Sequence, residues 1–215
     1  MSAGLEEART EVAACGRRLA ETGLVVGSAG NVSVRVGDRV AITPSGVPYH
    51  RVGADDICVL DLDGRHVAGP RTPSSETPLH LLLYAETDAR AVVHHHGVSS
   101  AAVATVLEEL PAIHYAATQL GGPLRVAEYA TFGTPELAAN VMAALRDRTA
   151  ALMGNHGAVA YADTLDAAFD RAHLVEWLCQ VWTQAVRLGS PRVLTEQELA
   201  DVVARRNRGR TEARA

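Results

Sequence analysis

The chain contains no lysine; all 20 of its basic side chains are arginine. No side-chain amine is therefore present to form a Schiff base with a carbonyl compound. Cysteine is scarce and odd in number. Cys15, Cys58 and Cys179 lie far apart with no CxxC pair, which fits reduced thiols rather than a disulfide framework. Neither charge sign dominates, and the formal net charge of −5 argues against nucleic acid or an anionic membrane as partner. Apolar stretches are broken by Thr, Gln, Arg and His before they reach the length of a bilayer span. The first residues carry acids in place of a basic flank and apolar core, so no signal peptide and a cytoplasmic location are expected. Glycine spacing matches neither a P-loop nor a GxGxxG turn, which disfavours nucleotide binding. There is no repeat, low-complexity block or linker, so residues 1–215 are expected to form one domain. The arginine-rich end, about 205–215, is expected to be a loose basic tail.

What is present is enough for a full core, with 47% apolar residues across 215. Leu5, Ala8, Val12, Cys15 and Leu19 fall at three- and four-residue steps, one stripe of a helix that Gly23 stops. Val32, Val34 and Val36 alternate with polar residues. Gly37-Asp38 then turns the chain into a returning strand over 39–43. A strand over 57–61, a helix over 75–86 and a buried strand from Ala91 follow. A helix from about Ser99 leads to a Gly/Pro-rich loop, and Thr134-Pro135-Glu136 opens the next helix. Strands over 150–153 and 158–161 flank Gly154-Asn155-His156-Gly157. Thr164 caps a long helix to about Leu188, and Thr195-Glu196-Gln197-Glu198 is a capping box for a last one. These mixed signals predict an α/β protein, a three-layer α/β/α sandwich around a mixed sheet.

His94-His95-His96 stands out. On a strand, residues two apart share a face, so His94 and His96 present their imidazoles together while His95 points away. Paired imidazoles commonly begin a zinc site, and a catalytic zinc wants a third protein ligand. His156, aimed from a turn of small residues, is a candidate; a histidine in such a turn is otherwise structural. Glu76, at a helix start in Ser74-Ser75-Glu76, is a fourth candidate, with simple dipole complementarity as its plainer reading. His80 lies one turn further along the same helix face as a rival ligand, ranked lower as a packing or supporting residue. Three small-residue segments suit an anion: Gly27-Ser28-Ala29-Gly30-Asn31, Thr43-Pro44-Ser45-Gly46 and Ser74-Ser75. Hydroxyls and backbone N–H groups at such turns and at a helix N-terminus hold phosphate well.

The motifs together resemble the class II aldolase and adducin-like family, most closely its L-fuculose-phosphate aldolase branch. They are Gly27–Arg35, Ile42–Tyr49, Pro73–Glu76, Ala91–His96, Pro111–Tyr115, Tyr129–Thr134 and Asn155–Gly157, in the family's order. The resemblance implies a largely antiparallel sheet in a fourfold tetramer with active sites at subunit contacts. It implies a zinc ion on His94, His96 and His156, approached by Glu76, which also acts as general acid/base. Gly30, Asn31, Ser45, Gly46, Ser74 and Ser75 match its phosphate cradle. Tyr115 matches a tyrosine that reaches the aldehyde oxygen from a neighbouring subunit. The implied reaction is reversible cleavage of a ketose 1-phosphate, of L-fuculose 1-phosphate type, to dihydroxyacetone phosphate and a small aldehyde through a metal-stabilised enediolate. Apolar surroundings are expected to tune the Glu76 pKa upward.

The family's C-terminal tyrosine is missing here, where the chain reads Arg205-Arg206-Asn207-Arg208-Gly209. That leaves the aldehyde open. A sugar-phosphate 4-epimerase uses the same logic, but usually with aspartate at the position of Glu76. A thio-sugar-phosphate dehydratase shares the glutamate. An adducin-like interaction module would lack the metal histidines.

Overall fold

The alternating valines of residues 32–36 and the apolar run 91–93 become neighbouring central strands. In the computed structural model, which describes residues 3–212, nine strands form one sheet in the order β4-β3-β2-β1-β5-β9-β8-β7-β6. They are β1 (Asn31–Val36), β2 (Arg39–Ile42), β3 (Cys58–Asp61), β4 (His66–Ala68), β5 (Ala91–His95), β6 (Glu109–Leu110), β7 (Leu124–Ala127), β8 (Ala150–Met153) and β9 (Gly157–Ala162). Only the β7–β8 pair is parallel; the others are antiparallel.

Strand alternation sends side chains to two separate cores. One face of the sheet packs Val32, Val93, Leu152 and Ala160 against α1 (Ala3–Glu21), α3 (Val98–Ala104) and α5 (Leu165–Leu188). The other packs Ile42, Val92, Met153 and Val159 against α2 (Thr77–Glu86) and α4 (Pro135–Ala144). The result is the expected three-layer sandwich around a mixed, largely antiparallel sheet.

Two expectations need correction. The Gly/Pro-rich segment read as loop contains β6 and β7, strands too short to show a period. The arginine-rich end is helical as far as Glu212, in α6 (Glu196–Glu212), and Arg206 Nη2 donates to Thr118 Oγ1 at 2.8 Å. Residues 213–215 lie outside the described part. The capping box is formed: Glu198 N donates to Thr195 Oγ1 at 3.2 Å and Thr195 N to Glu198 Oε2 at 2.8 Å.

Candidate active site

The register of the central strands builds the site. Asn31 of β1 lies directly opposite His94 of β5, and His94 opposite Val159 of β9. Both polar residues share the face that carries α2, whose N-cap is Glu76. His96, two residues beyond His94, follows to the same side. The β8–β9 turn delivers His156 across Asn155, a left-handed residue at φ 52°.

Glu76, His94, His96 and His156 each offer a ligand atom, all within 4.8 Å of one another. The three imidazole rings stand 4.8 Å apart, with interplanar angles of 64°, 85° and 89°, like blades around a common centre. His94 donates from Nδ1 to the Ala158 carbonyl at 2.9 Å, which leaves Nε2 as a bare lone pair pointing inward. His96 Nε2 faces that atom at 2.9 Å. Glu76 Oε2 is 3.0 Å from His94 Nε2, and Oε1 is 3.5 Å from His156 Nε2. Oε1 is buried without a hydrogen-bond partner. Inward lone pairs beside an orphaned carboxylate oxygen are the donor set of a divalent cation, so the residues fit a metal. Among the described residues, this three-His/Glu cluster is the one whose donor atoms converge as a metal site.

The electrostatics say the same. Burial pushes the Glu76 carboxyl up, but His94, His156 and the Asn31 amide outweigh it and hold the group well below the usual range. The expected upward tuning is thus reversed by the imidazoles themselves. Burial pushes His94 down, but Glu76 and the Ala158 carbonyl outweigh it and raise its pKa. Burial, followed by the charge of His94, drives His96 down to about 3 and His156 to about 4. The cluster holds its carboxylate ionised and its His96 and His156 rings neutral, the forms in which these groups ligate a cation.

Above the cluster opens a pocket of about 460 Å³, lined by all six expected cradle residues: Gly30, Asn31, Ser45, Gly46, Ser74 and Ser75. Their loops are stitched together, with Ser45 N donating to Thr72 O and Ser74 N to Thr43 O. No arginine lines this pocket. Tyr115 is not brought to it; it lies 54% exposed in a short 3-10 turn, stacked on His114 at 4.5 Å. His80 is not among the metal-facing groups. It lies fully buried between Ser33 and Asn31. Tyr129 and Phe132 also line the pocket, 64% and 63% exposed, though no role follows for them from residue spacing. The detectable signal was their place in the Tyr129–Thr134 motif, two aromatics close together in a chain with 4% of them.

Known proteins agree with this geometry. The sequence model of the class II aldolase and adducin N-terminal domain matches residues 10–183. A 5-deoxy-D-ribulose 1-phosphate aldolase of Bacillus thuringiensis serovar kurstaki is 37% identical over 201 residues, covering 92% of this chain and 94% of the relative. An L-fuculose phosphate aldolase of Escherichia coli is 42% identical over 184 residues, covering 84% and 85%. The solved structure of an L-fuculose 1-phosphate aldolase superposes with a TM-score of 0.90 at 37% identity, over 96% of this chain and 98% of that one. With this match in sequence and fold, the chain belongs to the class II aldolase and adducin family, as a class II aldolase, a lyase.

Proposed function

We propose that the chain reversibly cleaves a ketose 1-phosphate into dihydroxyacetone phosphate and a small aldehyde, with zinc held by His94, His96, His156 and Glu76. The observation that carries this reading is the placement of a three-histidine, one-carboxylate cluster at the floor of a pocket lined by neutral phosphate-type donors. A bound zinc ion would supply Lewis-acid stabilisation of negative charge on substrate oxygens.

The chain's own residues divide the remaining work. The hydroxyls of Ser45, Ser74 and Ser75 and the Asn31 amide orient the phosphate and thereby the three-carbon fragment. Glu76, held ionised, takes a proton from the hydroxymethyl carbon of dihydroxyacetone phosphate in the condensation direction. That carbon then bonds to the aldehyde carbon, and a proton is delivered to the aldehyde oxygen. Cleavage runs the same steps backward. Tyr115 is exposed and outside its own chain's pocket, which suits delivery of that proton by Tyr115 of a neighbouring copy in a tetramer.

The relatives support two substrate types, L-fuculose 1-phosphate and 5-deoxyribulose 1-phosphate. The test is release of dihydroxyacetone phosphate from L-fuculose, L-rhamnulose, ribulose and 5-deoxyribulose 1-phosphates, with and without chelator. Turnover that the chelator abolishes, and that falls 10²-fold or more in Glu76→Gln, is the expected result. No release from any of the four by zinc-loaded protein sinks the proposal.

A further inference from the structure

A line of buried polar groups, absent from the mechanism above, runs behind Glu76. Tyr84 Oη and Ser33 Oγ are 2.6 Å apart, and Ser33 Oγ and His80 Nδ1 are 2.6 Å apart. His80 Nε2 lies 2.5 Å from Asn31 Oδ1, and Asn31 Nδ2 donates to Glu76 Oε2 at 2.8 Å. All five side chains are buried. The arrangement comes from two matched periods: Glu76, His80 and Tyr84 recur every four residues along a helix, about 6 Å. Asn31 and Ser33 recur every two along a strand, about 6.8 Å.

With His80 neutral, only one distribution of protons satisfies every contact. An ionised carboxylate accepts and never donates, so the Asn31 amide must face it with Nδ2 and turn Oδ1 to His80. His80 Nε2 therefore carries the ring proton and donates. His80 Nδ1 is then an acceptor, Ser33 donates to it, and Tyr84 donates to Ser33. Burial, with the charge of His94 adding to it, pushes the His80 pKa down to about 3, so the ring stays neutral and keeps this single tautomer. The chain ends on Oε2 alone; Oε1 has no partner.

We propose that His80 is a positioning residue that locks the Asn31 amide and so divides the labour of the Glu76 carboxylate. Oε2 is the anchored oxygen, and Oε1 is the one that moves the proton at the reacting carbon. The same lock ties Asn31, part of the phosphate cradle, to the acid/base group, so phosphate seating and proton transfer share one rigid joint. This rests on the aldolase reading for the identity of the moving proton, but not for the joint itself.

The test compares His80→Leu, which removes the donor to Asn31, with His80→Gln, whose side-chain amide restores it. Two quantities are measured on folded protein. One is zinc affinity by chelator competition, with the metal as the only probe. The other is solvent-deuterium exchange into dihydroxyacetone phosphate by zinc-loaded protein, separated into rate at saturation and apparent affinity. In His80→Leu, zinc affinity is expected to fall about tenfold and the saturated exchange rate tenfold or more, with apparent affinity for dihydroxyacetone phosphate weakened as well because Asn31 is freed in the cradle. His80→Gln is expected to recover both to within threefold. Leu at wild-type values in both measurements overturns the proposal. So does Gln failing as badly as Leu, because that pattern reports lost packing. If wild-type protein exchanges no deuterium, the aldolase reading fails, and the zinc affinities alone decide the joint. Should His80→Leu not fold, Ser33→Ala replaces it: a threefold loss in either quantity supports the lock, and wild-type values in both reject it.

Discussion

Gly30 adopts φ +78°, and a Cβ built there would lie 2.7 Å from the His94 carbonyl oxygen and 2.9 Å from Val25. Gly157 has the matching problem on the other side, with a Cβ 2.2 Å from the His95 carbonyl. The backbone that carries the metal histidines is thus gripped between two residues that must have no side chain. At Gly30 a left-handed alanine costs about 1–2 kcal/mol and the overpacking about 1–3 kcal/mol more. Thermal unfolding of Gly30→Ala should therefore show a midpoint lowered by roughly 5–15 °C. A change under 2 °C would mean that the loop moves aside freely. Residue chemistry was the most legible layer of the sequence. The spacing of His94 and His96 announces a shared face whatever surrounds it. His80 is different, because its role depends on the register that sets Asn31 opposite His94, and register is a property of two strands together.

At the scale of elements, α3 is only seven residues long and starts directly after the metal histidine His96 and Gly97. Its first turn is closed from outside. Glu176 of α5 accepts from Ser99 N and Ser100 N at 2.9 Å each and from Ser100 Oγ at 2.6 Å. Gly97 gives the carboxylate room, since a Cβ there would meet Glu176 Oε2 at 2.3 Å. Glu176→Ala strands these donors near the core, at about 1–3 kcal/mol for each one left buried and unpaired. Calorimetry should find Glu176→Ala clearly below Glu176→Gln, which keeps one acceptor oxygen; equal midpoints would deny the cap its part. The long helices and central strands could be read from their periods and caps, as Thr164 and Thr195 show. Strands β4, β6 and β7, of two to four residues at or near the sheet edge, are too short to display a period at all. They exist because the sheet offers them a partner.

For the whole molecule, buried imidazoles set the response to acid. Burial, with the charge of His94 next in weight, pushes His80, His95 and His96 to about 3 and His156 to about 4. The unfolded chain takes up these protons near the ordinary 6.5, while the folded chain refuses them until far lower. Stability is therefore complete above pH 6.5 and drains as pH falls through the interval down to 3–4, by about 1.4 kcal/mol per unit for each such group. His94, raised by Glu76, runs the opposite way but is one against four. Metal-free protein should thus melt at a distinctly lower temperature at pH 5 than at pH 7.5, and a flat profile would contradict the burial of these rings. Zinc should raise the midpoint at pH 7.5 with dependence on its free concentration, and less at pH 5, where protons compete for the same nitrogens. The arginine-free lining of the pocket bears on how substrate arrives. A phosphate dianion approaching a protein of net charge −5 finds no arginine in this lining, so its attraction at short range would come from the metal on the pocket floor. Added salt then screens the repulsion of the chain and the attraction of the metal together, so catalytic efficiency should respond only weakly to ionic strength, without the steep fall that an arginine-lined entrance would show.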